Sequence, residues 1–180
     1  MRVFAYCAKS FEVGTRQAAR VAPITCPPAR ADTFNPDQLE GYDLLYFDLH
    51  GMPGDPRMYG DEHIVALRAD QILEADLKDV IVFASTCYLA EEDSPVMDAF
   101  LDAGAVYVIG GDGKNWSPLK SASSGAALLG KNFRAILNLG FEPLWALSLA
   151  KQVVRLKLRG SRSVKRDTLA FRAYYRDRRR

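Results

Sequence analysis

LLYFDLHG, residues 44–51, is an apolar run of strand length that ends at His50. VIVFASTC, residues 80–87, is a second run of the same kind, and it ends at Cys87. Such near-continuous apolar runs are typical of central parallel strands. Parallel strands end at the same carboxyl edge of a sheet, where open α/β sheets place their active sites, and neighbours lie roughly 4.8 Å apart. The two runs therefore predict that an imidazole and a thiol meet at this edge as a Cys–His dyad.

The composition indicates an ordinary globular protein. The chain has 180 residues, of which 48% are hydrophobic and 26% charged, and we expect one domain over residues 1–180. The amino terminus is too weakly apolar for a signal peptide, and no run approaches the ~18 apolar residues that span a bilayer. We expect a soluble, cytoplasmic protein without a membrane partner.

The cysteine usage bears on cofactors. The chain has 3 cysteines, and Cys7, Cys26 and Cys87 show no CxxC spacing. This pattern argues against a disulfide framework and against a zinc site. We expect no metal and no cofactor, and a reducing compartment would keep a nucleophilic thiol usable.

The net charge of +2 hides an asymmetry along the chain. Residues 151–180 carry 12 Lys and Arg against 2 Asp and Glu, which leaves 12 basic and 20 acidic residues in 1–150. A basic tail at residues 176–180 would be typical of a nucleic-acid arm, but the chain shows no basic groove interleaved with aromatic residues. We interpret the tail as a solvated terminus and do not expect nucleic acid as a partner.

Strand-like and helix-like segments alternate along the chain. Strands are predicted over 2–7, 43–49, 79–85, 105–109 and 168–174, with weaker candidates at 24–26 and, as a short edge strand, at 64–67. Helices are predicted over 11–21, from 95 to 103, over 121–139 and over 143–158. This order predicts βαβ units and an α/β fold: a three-layer sandwich around a mostly parallel sheet of about six strands.

The chemistry of the dyad needs more than two side chains. A free cysteine with a pKa near 8.5 gives little thiolate at neutral pH, so a neighbouring imidazole has to assist it. His50 is the stronger candidate for the base. His63 lies in a polar stretch, and no core strand precedes it to position its side chain. The backbone N–H groups of Gly51 and Cys87 are candidate donors for the oxyanion. Taken alone, a cysteine at a strand end is more often a small buried hydrophobe; the conjunction with a His-Gly pair on another strand favours the functional interpretation.

These strings resemble a known family. An apolar strand followed by His-Gly, and then an apolar strand ending in Ser-x-Cys, is similar to the caspase-like cysteine peptidases, which include caspases, gingipains, clostripain-like and separase-like enzymes. The bacterial CHAT-type members look most similar. The resemblance covers about residues 42–151, including the segments 79–89, 96–111 and 133–151.

The resemblance implies a cysteine endopeptidase that acts through a thioacyl-enzyme, with His50 as base, Cys87 as nucleophile, and the N–H groups of Gly51 and Cys87 as oxyanion donors. It also implies a protein or peptide substrate and a regulatory or fused partner protein. Asp48 precedes His50 by two positions, but the fold normally uses a dyad, so we do not expect it to orient the imidazole.

The residues that would read P1, the substrate residue on the acyl side of the scissile bond, depart from the family. Several arginine-specific relatives have an acid two residues before the nucleophile and caspases have Gln, whereas this chain has Ser85. Asp112 is the remaining acid in a loop expected to border the pocket, and Trp116 would wall it. A carboxylate there would favour Arg or Lys at P1. The alternative, which the Gly-Asp-Gly pattern favours slightly, is that Asp112 only forms a turn.

Three other functions remain as alternatives. The first is a catalytically silent caspase-like protein-interaction module. The second is a phosphate-binding domain that uses residues 110–114, but that string lacks both GxGxxG and GxxxxGK[ST] spacing. The third is an amidotransferase-like hydrolase, and Tyr88 directly after Cys87 counts against its nucleophile elbow.

Overall fold

The computed structural model describes residues 1–158 and 162–175. Its strands are β1 (Val3–Ala8), β2 (Ile24–Cys26), β3 (Leu44–Asp48), β4 (Arg57–Tyr59), β5 (Val65–Arg68), β6 (Ile81–Ala84), β7 (Tyr107–Gly111) and β8 (Phe171–Tyr175). Its helices are α1 (Glu12–Ala19), α2 (Ala69–Leu73), α3 (Pro95–Asp102), α4 (Gly125–Leu137), α5 (Pro143–Lys157) and α6 (Arg162–Leu169).

Six strands form one sheet in the order β2-β1-β3-β6-β7-β8. All neighbours are parallel except β8, which runs antiparallel to β7. The predicted mostly parallel sheet of an α/β fold is therefore confirmed. The basic tail at residues 176–180 lies outside the described residues.

Other local predictions match the structure only in part. The weak candidate for an edge strand at 64–67 is the strand β5, which begins one residue later and pairs with β4 in an antiparallel hairpin apart from the main sheet. β4 lies in a Gly- and Pro-rich stretch without period-2 alternation, so no pattern marked it. The predicted last strand starts too early, because residues 168 and 169 end the helix α6, which sequence analysis missed. The helix predicted over 121–139 begins at Gly125.

Each face of the sheet buries its own core, because alternate strand residues point to opposite faces. One core contains Phe47, Val82 and Val108 and packs against α2 and α3. The other contains Tyr46 and Phe83 and packs against α1, α4 and α5. The two helical layers and the sheet between them are the predicted three-layer sandwich.

The register of β3 and β6 positions the candidate site. These strands are direct neighbours, with Leu44 opposite Ile81 and Phe47 opposite Ala84. One further bond, from the Ser85 N–H to the Phe47 carbonyl oxygen at 2.7 Å, extends the ladder past the last paired residues. Both strands therefore end at the same level, and the residues that follow them share one edge of the sheet.

In the described part of the chain, no helix is both long and apolar enough to cross a membrane.

Candidate functional site

His50 and Cys87 follow β3 and β6 at this shared edge. The backbone of His50 is held by the β4 strand: its N–H donates to the Tyr59 carbonyl at 2.8 Å, and its carbonyl accepts from the Tyr59 N–H at 2.9 Å. The hairpin that sequence analysis missed thus fixes the backbone of the predicted base.

Gly51 packs directly against the nucleophile turn. A Cβ placed on Gly51 would overlap the carbonyl oxygen of Cys87 and the Cγ2 of Thr86. Only a residue without a side chain allows this approach. The need for close packing therefore explains why glycine follows His50. The two reactive strand ends are therefore in van der Waals contact.

The Cys87 thiol is partly buried and bonded to one neighbour. Its Sγ accepts the N–H of Asn115 at 3.2 Å and lies 3.7 Å from the Asn115 carbonyl oxygen. Burial raises the pKa of this thiol above its ordinary value of 9.0, the Asn115 N–H and Lys114 oppose the rise, and Asp48 adds to it. In this arrangement the sulfur is a neutral thiol at physiological pH, so a base is required to activate it.

The His50 imidazole faces a different group. Its side chain is 49% exposed, its Nε2 lies 3.9 Å from Asp61 Oδ1, and its ring centroid lies 5.2 Å from that of Phe11. Within residues 1–158 and 162–175, no hydrogen bond joins the imidazole to the Cys87 sulfur. The structure brings the two backbones together and leaves the two functional groups with separate partners.

The two candidate oxyanion donors have different surroundings. In the portions of the chain that are described, the Gly51 N–H donates to no backbone carbonyl, whereas the Cys87 N–H interacts with the Cys87 sulfur and lowers the pKa of that thiol. An N–H group without an acceptor beside a thiol can donate to an anion.

Two open depressions meet at the Gly51–Met52 segment. Cys87 lines a narrow one of about 10 Å³, room for about one water molecule, together with Asp55 and Arg57. His50 lines the wider one, of about 430 Å³, together with Asp61 and the adjoining 3-10 turn. The thiol and the imidazole are thus reached from adjoining parts of one surface.

The three predicted substrate-binding residues lie around β6 and β7. Ser85 is buried, and its Oγ is 3.0 Å from Ser117 Oγ. Asp112 forms an ion pair with Arg172 of β8 at 2.5 Å. Trp116 is 46% exposed, and its carbonyl accepts the N–H of Ala126 at 2.9 Å. Arg172, which no sequence signal connected with Asp112, thus already neutralises that carboxylate.

Sequence reasoning missed other members of the site. Asn115 bonds Cys87, and Asp61 faces His50, and neither residue belongs to a motif. The sequence analysis assigns Asp48 no role and does not expect it to orient His50. The Asp48 carboxylate accepts a hydrogen bond from Thr15 Oγ1 at 3.1 Å, and burial raises its pKa to about 7, against the opposing effect of the Ser85 and Thr15 hydroxyls.

No group of three or more His, Cys, Asp or Glu side chains that could hold a metal ion occurs among the residues the structure describes.

Comparison with known proteins bears on the fold. No protein-family model matches the chain, and a search of curated proteins found no match. Among solved structures, the chain is similar to the Arg-specific cysteine proteinase gingipain R, with a TM-score of 0.59 and 13% sequence identity over 93% of this chain and 45% of that one. The chain thus spans less than half the length of that proteinase. At this identity the likeness shows the fold alone: the chain has an α/β fold like that of gingipain R.

Proposed function

We propose that this chain is a cysteine endopeptidase with Cys87 as nucleophile and His50 as general base. The observation that carries the proposal is the contact of Gly51 with Cys87, which sets the histidine-bearing and cysteine-bearing strand ends side by side next to an open depression. The caspase-like fold adds support, because gingipain R, which shares it, is a cysteine proteinase. Membership of the CHAT-type subgroup and a cytoplasmic location stay predictions.

The reaction would begin with a rotation of the His50 side chain away from Asp61. The half-exposed imidazole is not enclosed by packing, and catalytic hydrogen bonds are often long or absent before substrate binds. Rotation toward Cys87 would let the imidazole take the Sγ proton. The resulting imidazolium would stabilise the thiolate, which offsets the effect of burial on the thiol pKa.

The thiolate would then attack the carbonyl carbon of the scissile peptide bond. The carbonyl π electrons move to oxygen, and the N–H groups of Gly51 and Cys87 donate hydrogen bonds to that oxyanion. When the tetrahedral intermediate collapses, the C–N bond breaks and the imidazolium gives its proton to the leaving amine. A water molecule, deprotonated by the same imidazole, hydrolyses the thioacyl-enzyme and regenerates the thiol.

The test is covalent labelling with a peptidyl acyloxymethyl ketone, followed by mass spectrometry. Labelling at Cys87 should be lost in Cys87→Ala and slowed by about 10²-fold or more in His50→Ala. His63→Ala is the matched control, since His63 lines the same depression as His50, and it should label as the wild type does. Equal labelling of Cys7 or Cys26, or full labelling of the His50 variant, would contradict the proposal.

The second candidate function is a catalytically silent caspase-like interaction module. The observation that favours it is the separate engagement of the two side chains, with His50 near Asp61 and the Cys87 thiol bonded to Asn115. A module of this kind would capture a protein partner equally well as wild type and as Cys87→Ala, and it would neither react with the ketone nor cleave any peptide of a P1 library.

A further inference from the structure

Exposed apolar side chains are concentrated on the helix α5 and on the turn that precedes it. Of the twelve large hydrophobic side chains that are exposed in the described chain, five lie in this short stretch: Leu139, Phe141, Leu144, Trp145 and Leu156. Exposed apolar residues scattered singly are ordinary, whereas a group that includes a nearly uncovered tryptophan indicates a surface that meets a partner. The proposed peptidase reaction uses none of these residues.

The packing of α5 directs its apolar side chains outward. Ala146, Ala150 and Val154 are buried in the core between this helix and the sheet. Trp145 and Leu156, 67% and 66% exposed, are three helical turns from each other, so they project from the same side of α5 at a separation of about 16 Å. The outer side of α5 therefore carries an apolar stripe that nothing in the described chain covers.

Basic side chains flank this stripe. Arg155 and Lys157 are exposed on α5, and Arg162 is exposed on α6, which packs against it. Within the described ranges, none of the three forms an ion pair. Burial lowers the pKa of Lys151, and the charges of Arg155 and Arg172 lower it further, which shows that positive charge accumulates here.

The sequence has a matching asymmetry that the proposed function leaves unexplained. Residues 151–180 carry 12 Lys and Arg against 2 Asp and Glu, and Glu142 is the single acid between residues 138 and 157. An apolar stripe with a basic border fits a partner that is both apolar and anionic.

Charge and shape distinguish between the possible partners. In a symmetric contact with a second copy, Arg155 and Lys157 of both chains would face each other, and like charges repel. A protein partner would need a pocket of its own for Trp145, which stands on a convex helix surface. A fluid lipid layer closes around such a surface without a preformed shape. Tryptophan and leucine beside lysine and arginine are also the residues that bind helices to anionic membrane surfaces.

We propose that the outer side of α5, together with the turn at residues 139–142, binds the surface of an anionic lipid bilayer. The apolar side chains enter the layer between headgroups and acyl chains, and the flanking basic side chains lie at the level of the negatively charged headgroups. Contact with one leaflet requires no membrane-spanning helix. The proposal replaces the expectation of no membrane partner, which considered spanning segments alone, and it does not depend on the peptidase activity.

The experiment is co-sedimentation of the full chain with vesicles of phosphatidylcholine, either pure or with about a third of phosphatidylserine. We expect at least about tenfold tighter binding to the anionic vesicles at low ionic strength, which corresponds to about 1.4 kcal/mol. The difference should shrink as salt is added, because salt screens the attraction between basic side chains and headgroups.

Two apolar variants test the stripe itself. Trp145→Ser and Leu156→Ser should each weaken binding to the anionic vesicles by about tenfold. Leu73→Ser is the matched control, since Leu73 is 53% exposed but belongs to α2 on the other side of the sheet, and it should bind as the wild type does. Circular dichroism of each variant verifies that the fold is kept.

A charge variant tests the basic border. Arg155→Gln combined with Lys157→Gln should weaken binding to the anionic vesicles and leave binding to pure phosphatidylcholine unchanged. Lys78→Gln is its control, because Lys78 is exposed in the loop that leads into β6, and it should have no effect on either vesicle.

Tryptophan fluorescence locates the contact. The chain has 2 tryptophans, and brominated lipid should quench the wild type and leave Trp145→Phe, which keeps Trp116, unquenched. Absence of binding to anionic vesicles, equal binding by the Trp145→Ser and Leu73→Ser variants, or quenching that persists in Trp145→Phe would overturn the proposal. A dimer in sedimentation equilibrium that Trp145→Ser abolishes would assign the face to a second copy instead.

Discussion

Cys87 is the partly accessible cysteine of a chain whose Cys7 and Cys26 are buried, and its reactivity depends on which neighbour its sulfur meets. In its present position burial raises the pKa of the thiol, and the Asn115 N–H only partly opposes the rise. Beside an imidazolium it would ionise readily. The pH dependence of its alkylation therefore reports which neighbour it has in the free protein.

We expect iodoacetamide to alkylate Cys87 of the free protein slowly at neutral pH. The rate should rise about tenfold for each pH unit, until the pH exceeds the raised pKa of the thiol. The rate is followed by mass spectrometry, with Cys7 and Cys26 as internal controls that stay unmodified while the protein is folded. A fast plateau between about pH 6 and 8 would instead reveal a thiolate–imidazolium pair in the free protein, against the geometry described above.

Gly51 is the residue whose size decides whether the two strand ends can touch. In Gly51→Ala the new methyl group would overlap the Cys87 carbonyl oxygen, so we expect a loss of about 1–3 kcal/mol in the free energy of unfolding and a larger loss of labelling rate. Gly54→Ala is the control for backbone strain in the same loop: open space surrounds this position, but its φ of +64° is left-handed, so we expect a loss of about 1 kcal/mol in the free energy of unfolding and an unchanged labelling rate. Equal effects of the two variants on labelling would argue against the contact.

Asp48 makes the stability of the protein depend on pH. Burial raises its folded-state pKa from the ordinary 3.8 to about 7, so between these values the native state keeps a proton that the unfolded chain has released. The native state then binds more protons, and stability falls as pH rises through this window, by roughly 4 kcal/mol at most.

Asp48→Asn should remove this dependence and flatten the curve of unfolding free energy against pH between about 4 and 7. Denaturant unfolding at several pH values measures it. A variant that follows the wild-type slope would mean that another group carries the pH dependence.

At the scale of elements, the helix α4 approaches the sheet through Gly130. A Cβ at this position would overlap the ring and hydroxyl of Tyr46 and the ring of Phe83, which stack on each other at 5.3 Å. The glycine thus lets the helix lie close to β3 and β6, the two strands that carry the proposed dyad.

Gly130→Ala should destabilise the protein by about 1–3 kcal/mol through overpacking, although alanine is the better helix former by about 1 kcal/mol. Lys131→Ala, at the next and exposed position of α4, should change the unfolding free energy by less than about 0.5 kcal/mol. Thermal or urea unfolding of both variants tests this prediction. If Gly130→Ala were more stable than wild type, the Tyr46 and Phe83 rings would be able to move aside at little energetic cost.

Local sequence patterns predicted some secondary-structure elements and missed others. The strands β3 and β6 were predicted because continuous apolar runs mark buried parallel strands, and α3 because Ser94 and Pro95 form a start signal that the structure confirms. β4 was missed because its three residues are too few to show an alternating pattern and follow a Pro- and Gly-rich loop; they are strand only through their pairing with β5 and His50.

At the scale of the whole molecule, the strand order decides what the site contains. Because β3 lies between β1 and β6, Asp48 is enclosed by strand ends on both sides, and α1 adds Thr15 above it. The similarity to gingipain R extends over 93% of this chain, so the two proteins share the fold over nearly all of the chain.

The sequence by itself determined the α/β class, the two central strands and the placement of His50 and Cys87 at their carboxyl ends, because these features follow from the local order of apolar and turn-forming residues. Only the tertiary structure decided that His50 faces Asp61, that Asn115 bonds the thiol, that Arg172 neutralises Asp112 and that Asp48 is buried beside Thr15. These pairings join side chains that are far apart in the chain or depend on rotamers chosen by packing, and a one-dimensional pattern carries neither kind of information.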